Sequence, residues 1–312
     1  MIATVTLNPS LDEWIEVDRL QVGALHRARR FLRYPGGKGI NVSRVVHELG
    51  GRTVAFGVMG GADGAILQDL LRRLAIPHEL VPISGLTRNN YKIRTRTPRA
   101  VTEVNTEGPR VMRTSLARVF RCVLHRSGRV RAVALSGSLP PGAPAGIYRA
   151  WIREFGRRGI PTVLDSSGQA LRQGLLARPW LIKPNRAEAE ELLGRRLPNR
   201  RSIIQGAQAL LQRGPEVVIL SIGAEGALLA APAPIGIWVA KPPKIKTSSA
   251  VGAGDSLVGG FLHGWSRTGD LVEAFRLGVA CGTATAMTPG TELCHRRDVV
   301  RVLPRVVARR LS

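Results

Sequence analysis

The sequence predicts an α/β fold on a mainly parallel sheet, and three observations carry that prediction. Strand-type and helix-type segments alternate along the 312 residues without an internal repeat or a low-complexity tract, and strand, helix, strand in succession implies right-handed crossovers between parallel strands. At 312 residues with 44% hydrophobic content the chain has ample apolar material for a buried core. Polar residues (Asp12, Ser136, Asp165, Lys183, Asn185 and Ser221) fall at the ends of the strand-type runs, where ligands bind in such sheets.

The first strand lies in "IATVTLNPSLD" and stops at the turn signal Asn8-Pro9. In "GGKGINVSRVVHELGG", glycines precede Ile40, Val42, Val45, Val46 and Leu49 at helical spacing, and Gly50-Gly51 ends the helix. "TVAFGVMG" follows as a strand and "AILQDLLRRLAI" as a helix. Residues 89–113 break the alternation. "NNYKIRTRTPRAVTEVNTEG" is β-rich and polar at alternate positions, which predicts an exposed antiparallel ribbon appended to the main sheet.

The alternation then resumes. "VRAVALSG" is a strand, "AGIYRAWIREFGRRG" a helix closed by Gly159, "PTVLDSS" a strand and "WLIKPN" a strand end. "RAEAEELLG" and "SIIQGAQALLQRG" are helices, and "EVVILSIG" is a strand. Val217 to Ala240 carries one charge in 24 residues, long enough for a membrane span. Glu225, Pro232, Pro234 and three glycines divide it instead into strand, turn and strand pieces. Behind "GAGDS", Leu257, Val258, Phe261, Leu262 and Trp265 form an apolar helical stripe.

Charge narrows the partners. The chain has 46 Lys plus Arg against 22 Asp plus Glu, a net +24, and only six of the cations are lysine. Such a field draws anions, whether nucleotides, sugar phosphates or nucleic acid. The arginines are scattered and aromatic residues make up 4% of the chain, so a solvated arginine surface is preferred to a nucleic-acid footprint. Cys122, Cys281 and Cys294 are an odd set without C-x-x-C spacing. They read as reduced thiols rather than as a disulfide framework or a zinc site. No charged region with a cleavable apolar run opens the chain, so the expectation is a cytoplasmic protein without a membrane anchor.

The stretch "SSAVGAGDS" holds the chemistry. Gly252, Ala253 and Gly254 stand where a helix begins, and the free N–H groups and dipole there attract anions. Asp255 in that first turn reads equally as a capping acid or as a reactive carboxylate. A dinucleotide fingerprint would need glycine where Leu257 stands, and no stretch has the spacing of a Walker-type phosphate loop.

"PGGKGINVSRVVHELGG" and "SSAVGAGDSLVGGF", about two hundred residues apart, together resemble the two signature stretches of the PfkB sugar-kinase family within the ribokinase superfamily. "TLNPSLD", "TRNNYKI", "SGSLPPG", "DSSGQAL", "KPNRAEAE" and "SIGAEGAL" occur in that family's order. The resemblance therefore spans nearly the whole chain, and it points to the branch acting on phosphosugars: 1-phosphofructokinases, tagatose-6-phosphate kinases and minor 6-phosphofructokinases. It implies a ribokinase-like three-layer α/β/α fold over residues 1–312, with a small β-sheet lid from segments about 12–33 and 87–113 that also pairs subunits into a homodimer. It implies ATP and Mg²⁺ as cofactors, with a monovalent cation as an optional third.

Carried over by position, the resemblance makes Asp255 the base that takes the proton of the sugar hydroxyl. Gly252, Ala253 and Gly254 become the anion hole for the migrating phosphoryl group. Asp12, Gly37 and Asn41 would grip the sugar, with Arg27, Lys38, Arg88 and Lys92 as cations for its phosphate and Asn90 between the last two. Lys183, Asn185, Ser221, Gly223 and Gly226 would contact the nucleotide, and Asn185 and Glu188 would hold Mg²⁺ through water. Glu188 taken alone reads as an ordinary first-turn acid. The expected reaction is ATP-dependent phosphorylation of fructose 1-phosphate to fructose 1,6-bisphosphate, with tagatose 6-phosphate or fructose 6-phosphate as alternative substrates. One position departs from the family: Ala250 stands where a threonine is usual, with Ser248 and Ser249 beside it as possible substitutes.

Overall fold

Side-chain alternation along the strands divides most of the interior of this protein into two large cores, beside a smaller cluster of Leu67 and Leu71 with Leu11, Ile40 and Ala55. The structure is a computed structural model that describes residues 1–311. The chain starts with β1 (Ile2–Thr6), β2 (Ser10–Val17), β3 (Arg30–Gly36), α1 (Lys38–Glu48), β4 (Thr53–Gly60), α2 (Gly61–Arg73) and β5 (His78–Ile83). It continues with β6 (Arg88–Thr95), β7 (Ala100–Asn105), α3 (Arg113–His125), β8 (Ala132–Ser136), α4 (Ile147–Arg157), β9 (Thr162–Asp165), α5 (Gly168–Leu175) and β10 (Leu181–Ile182). Then come α6 (Arg186–Leu193), α7 (Arg200–Leu211), β11 (Val217–Ser221), β12 (Ala227–Ala231) and β13 (Gly236–Lys241). The last elements are α8 (Ala253–Thr268), α9 (Leu271–Met287), α10 (Arg296–Val302) and β14 (Val307–Arg310).

Ten strands form one sheet in the order β14-β13-β12-β11-β10-β9-β8-β1-β4-β5. From β11 to β5 the neighbours are parallel, and β12 to β14 add an antiparallel edge. Ala3 and Val5 of β1 join a core with α3 to α7, whereas Ile2 joins a core with α1, α8, α9 and α10. Helices thus cover both faces, the three-layer arrangement that the resemblance implies. The apolar segment 217–240 is β11, β12 and β13 with turns between them. No described helix is long and apolar enough to cross a membrane.

The ribbon is corrected in two respects. It belongs to a separate four-stranded sheet of order β3-β2-β6-β7 rather than to the main sheet, and β6 joins β2 in parallel. Its strands stop at Asn105, and Arg113 begins α3. The physical reason is its one-sided pattern. A strand polar at every second position fits a sheet with one wet face, not one covered on both. Helix α3 itself escaped the sequence reading, although Leu116, Val119 and Val123 are its buried stripe; α5, α9, α10, β3 and β14 were likewise not anticipated.

Close helix packing sets up the site. A β-carbon on Gly259 of α8 would lie 2.7 Å from Val45 Cβ of α1, so only glycine lets the two helices approach this far. That approach brings the first turns of α1 and α8 together beyond the carboxyl ends of β1, β8 and β9.

Candidate active site

Gly252 precedes α8 with φ 77°, a left-handed conformation that glycine adopts without strain. A β-carbon there would also meet Leu293 Cδ2 at 2.6 Å. Ala253, Gly254 and Asp255 form the first turn of α8; Ala253 N donates to the Ala250 carbonyl at 3.3 Å, and the N–H groups of Gly254 and Asp255 lack acceptors within the helix. The capping reading of Asp255 gives way to a tertiary one. Its buried carboxylate accepts a 2.8 Å hydrogen bond from Asn41 Nδ2. Burial, and then repulsion from Asp165, push its pKa from 3.8 up to about 6, against the pull of Lys38, the Asn41 hydrogen bond and Lys183.

A charged triad stands beside it. Asp165, the last residue of β9, is fully buried. Its Oδ1 lies 3.1 Å from Lys38 Nζ and 3.3 Å from Lys183 Nζ. Burial opposes its charge, but Lys183 and Lys38 outweigh burial and hold the carboxyl below its usual range. Asp165 in turn raises the pKa of Lys38. A β-carbon on Gly254 would sit 3.4 Å from Lys183 Nζ, which places this ammonium against the start of α8. Two lysines and a helix N-terminus make an anion cradle. A carboxylate of raised pKa next to it is equipped to accept a proton.

The small sheet contributes a second polar group. Register pairs Ser10 with Arg88 and Asp12 with Asn90, so these four share one face. Asn90 Nδ2 donates to Asp12 Oδ1 at 2.8 Å and to Ser10 Oγ at 3.0 Å. Ser10 Oγ donates to Asp12 Oδ1 at 3.0 Å, and Arg88 donates to Asn90 Oδ1 at 2.8 Å. Gly37 precedes α1, with φ 109°.

The four expected phosphate-binding cations are not gathered in one cluster. Arg88 lies with Asp12 and Asn90, whereas Lys38 pairs with Asp165. Lys92 is buried, 3.5 Å from Glu103, and Arg27 is exposed in the segment between β2 and β3.

Asn185 and Glu188 form a reciprocal capping box at the start of α6. Asn185 Oδ1 accepts from Glu188 N at 2.9 Å, and Glu188 Oε2 accepts from Asn185 N at 2.8 Å. Ser221 ends β11 and bridges to Asn185, while Gly223 and Gly226 shape the turn into β12 with φ 61° and 100°. Ala250 is exposed, and Ser249 Oγ accepts from Val251 N at 3.3 Å, so a serine hydroxyl orders the loop where threonine is missing. Sequence reasoning passed over Arg44, one helical turn beyond Asn41, and the charge partnership of Asp165. Their signals were position in "GINVSR" and at a strand end, and neither distinguishes an active residue from an ordinary one.

A family model described as pfkB family carbohydrate kinase matches residues 5–297. The protein is 36% identical to the 1-phosphofructokinase of Bacillus subtilis over 100% of both chains. It is 35% identical to the ATP-dependent 6-phosphofructokinase isozyme 2 of Mycobacterium tuberculosis, over 96% of this chain and 88% of that one. The structure of phosphofructokinase-2 from Escherichia coli in complex with substrates and products superposes with a TM-score of 0.91 at 31% identity, covering 97% of this chain and 98% of that one. The same Escherichia coli protein has also been solved in complex with potassium.

Proposed function

The chain belongs to the pfkB family of carbohydrate kinases, and from that premise we propose that it transfers the γ-phosphoryl group of ATP to a free hydroxyl of a ketohexose phosphate, converting fructose 1-phosphate to fructose 1,6-bisphosphate. The observation that carries this reading is the placement of Asp255. It is a buried carboxylate with pKa about 6, held by Asn41 and set beside the N–H groups of α8 and the Lys38–Asp165–Lys183 triad. At neutral pH such a group is ionised yet more basic than an ordinary aspartate.

In this mechanism the sugar hydroxyl gives its proton to Asp255 as its oxygen bonds to the γ-phosphorus. The bond from that phosphorus to the bridging oxygen breaks and ADP leaves. Of the expected anion hole, Gly252 and Gly254 would offer N–H groups to the moving charge, while Ala253 N is engaged by the Ala250 carbonyl at 3.3 Å, and Lys183 stands next to Gly254. Phosphoryl transfer asks mainly for alignment and charge stabilisation, which this arrangement supplies. Asp12, Ser10, Asn90 and Arg88 offer donors, acceptors and a cation for the sugar and its phosphate.

Among the described residues no three or more His, Cys, Asp or Glu side chains cluster as a metal cage. That suits Mg²⁺, which takes one or two protein oxygens and completes its shell with water and phosphate. Asn185 and Glu188 fit as its outer partners. Asn185 Oδ1 and Glu188 Oε2 are engaged in the capping box, so Glu188 Oε1 is the oxygen that would hold the ion, through water. Once bound, the ion would neutralise charge on the triphosphate. A monovalent cation remains a further expectation from the family, supported by the potassium complex of the Escherichia coli relative.

Relatives with nearly the same identity are named for fructose 1-phosphate and for 6-phosphofructokinase activity, so fructose 6-phosphate is the second reading. Coupled ADP release with Mg-ATP decides between them, with fructose 1-phosphate, fructose 6-phosphate, tagatose 6-phosphate and free fructose as acceptors. The expected result is the highest kcat/KM with fructose 1-phosphate. Turnover of free fructose alone would overturn the phosphosugar reading, and turnover of none would overturn the kinase reading.

We also assign the small sheet as the lid over the sugar and as the dimer surface. Supporting this, Phe31 of β3 and Val104 of β7 lie on the same face of the small sheet and are each about half exposed, apolar area that water solvates unfavourably. Sedimentation at micromolar concentration should show a dimer that Val104→Asp converts to monomer. A monomeric wild type would remove this assignment. A cytoplasmic location, where ATP is supplied, completes the reading.

A further inference from the structure

Arg44 lies one turn after Asn41 on α1. One of its guanidinium nitrogens donates to Asn41 Oδ1 at 3.2 Å and to the Pro35 carbonyl of β3 at 3.1 Å. Its guanidinium carbon stands 5.8 Å from the Tyr34 ring centroid. From the other end of the same amide, Asn41 Nδ2 donates to Asp255 Oδ2 at 2.8 Å. The chain of contacts therefore runs from the small sheet, through Arg44 and Asn41, to the carboxylate.

The two ends of a carboxamide are nearly equal in shape, so hydrogen bonding alone decides which way it faces. With Oδ1 held by Arg44, only the donating end is left for Asp255. An amide turned the other way would set an acceptor against the ionised carboxylate. It would also welcome the protonated acid, whose O–H it can accept. We infer that Arg44 is a positioning residue: by holding Asn41 Oδ1 it fixes the donor end of that amide on Asp255 and keeps this carboxylate in its proton-accepting form. The inference rests on Asp255 being the base of the proposed reaction.

The surroundings make the effect separable from charge. Facing Asp255 are Asp165 from β9, Lys38 and Asn41 from α1, and Lys183 beyond β10. These are the groups that act on it most strongly. Arg44 is instead faced by Asp12 from β2, Tyr34 from β3, and Glu292 and Cys294 from the segment after α9. A direct effect of its charge on Asp255 would persist without Asn41, whereas an effect carried by the amide would not.

The test is the pH dependence of kcat for Arg44→Met, Arg44→Lys, Asn41→Ala and the Asn41→Ala/Arg44→Met pair. Arg44→Met should lower kcat roughly tenfold and move the acid limb up by about one pH unit, the weight of a hydrogen bond to a charged group. Arg44→Lys, which still donates to Oδ1, should bring the limb back toward the wild-type position. In the Asn41→Ala background the Arg44 change should leave the limb where it is. A limb that stays put in Arg44→Met, or moves equally with and without Asn41, overturns the inference. Asp255→Asn with wild-type turnover would instead overturn the base on which it rests, so the two failures are distinct.

Discussion

Asp255→Asn should lower kcat by roughly two to four orders of magnitude, the usual contribution of a positioned general base, while ATP still binds with nearly wild-type affinity. Stopped-flow or coupled turnover gives the first quantity and nucleotide titration the second. The same change should leave the fold intact or more stable at pH 8. The folded-state pKa of Asp255 is raised to about 6 from 3.8, so between these values the folded protein binds a proton that the unfolded chain has released. Stability from this group therefore falls as pH rises through that window and stays reduced above it. The size is on the order of 3 kcal/mol, and asparagine removes it. Wild-type turnover should fade below about pH 6 as the base is protonated. Full activity in Asp255→Asn would remove Asp255 from the reaction.

The residues that make this site were readable in the sequence to different depths. The ends of β8, β9 and β11 were placed correctly because apolar runs of sheet length terminate in Ser136, Asp165 and Ser221. The start of α8 was readable because glycines precede an apolar stripe. What local pattern could not supply is contact across long separations. Asn41 and Asp255 meet over 214 residues, and that hydrogen bond gives the carboxylate a tertiary partner that no capping reading supplies. Lys38 shows the same limit: beside Gly37 and Asn41 it reads as a substrate cation, yet it pairs with Asp165 across 127 residues. The small sheet was read as an appendage because the parallel partner of β6 is β2, which precedes it by two intervening helices. Arg44 was invisible for a statistical reason: one arginine among so many carries no signal until its hydrogen bonds are seen.

Asp165→Asn should be the most destabilising single change at the site and should alter the pH profile in the opposite direction to Arg44→Met. Asp165 is fully buried between two ammonium groups, and Lys183 is buried with it, its side chain only 5% exposed. Removing one partner of a buried ion pair strands the other in a poorly polarisable interior, which costs about 3–5 kcal/mol. Lys38 retains more access to water and contributes less. The carboxyl of Asp165 is held below its usual pKa, so its stabilisation is present above about pH 4 and is lost as pH falls through the lowered value. Urea unfolding should accordingly separate wild type from Asp165→Asn at pH 7 and bring the two together in acid. The repulsion that Asp165 exerts on Asp255 also vanishes in the variant, so the acid limb of whatever activity survives should move below pH 6. Mg-ATP should restore stability more in the variant than in the wild type, because its phosphates supply the negative charge that the stranded lysines lack. Equal urea midpoints at pH 7 would mean that Lys183 reaches water without Asp165. An unmoved acid limb would mean that burial alone sets the basicity of Asp255.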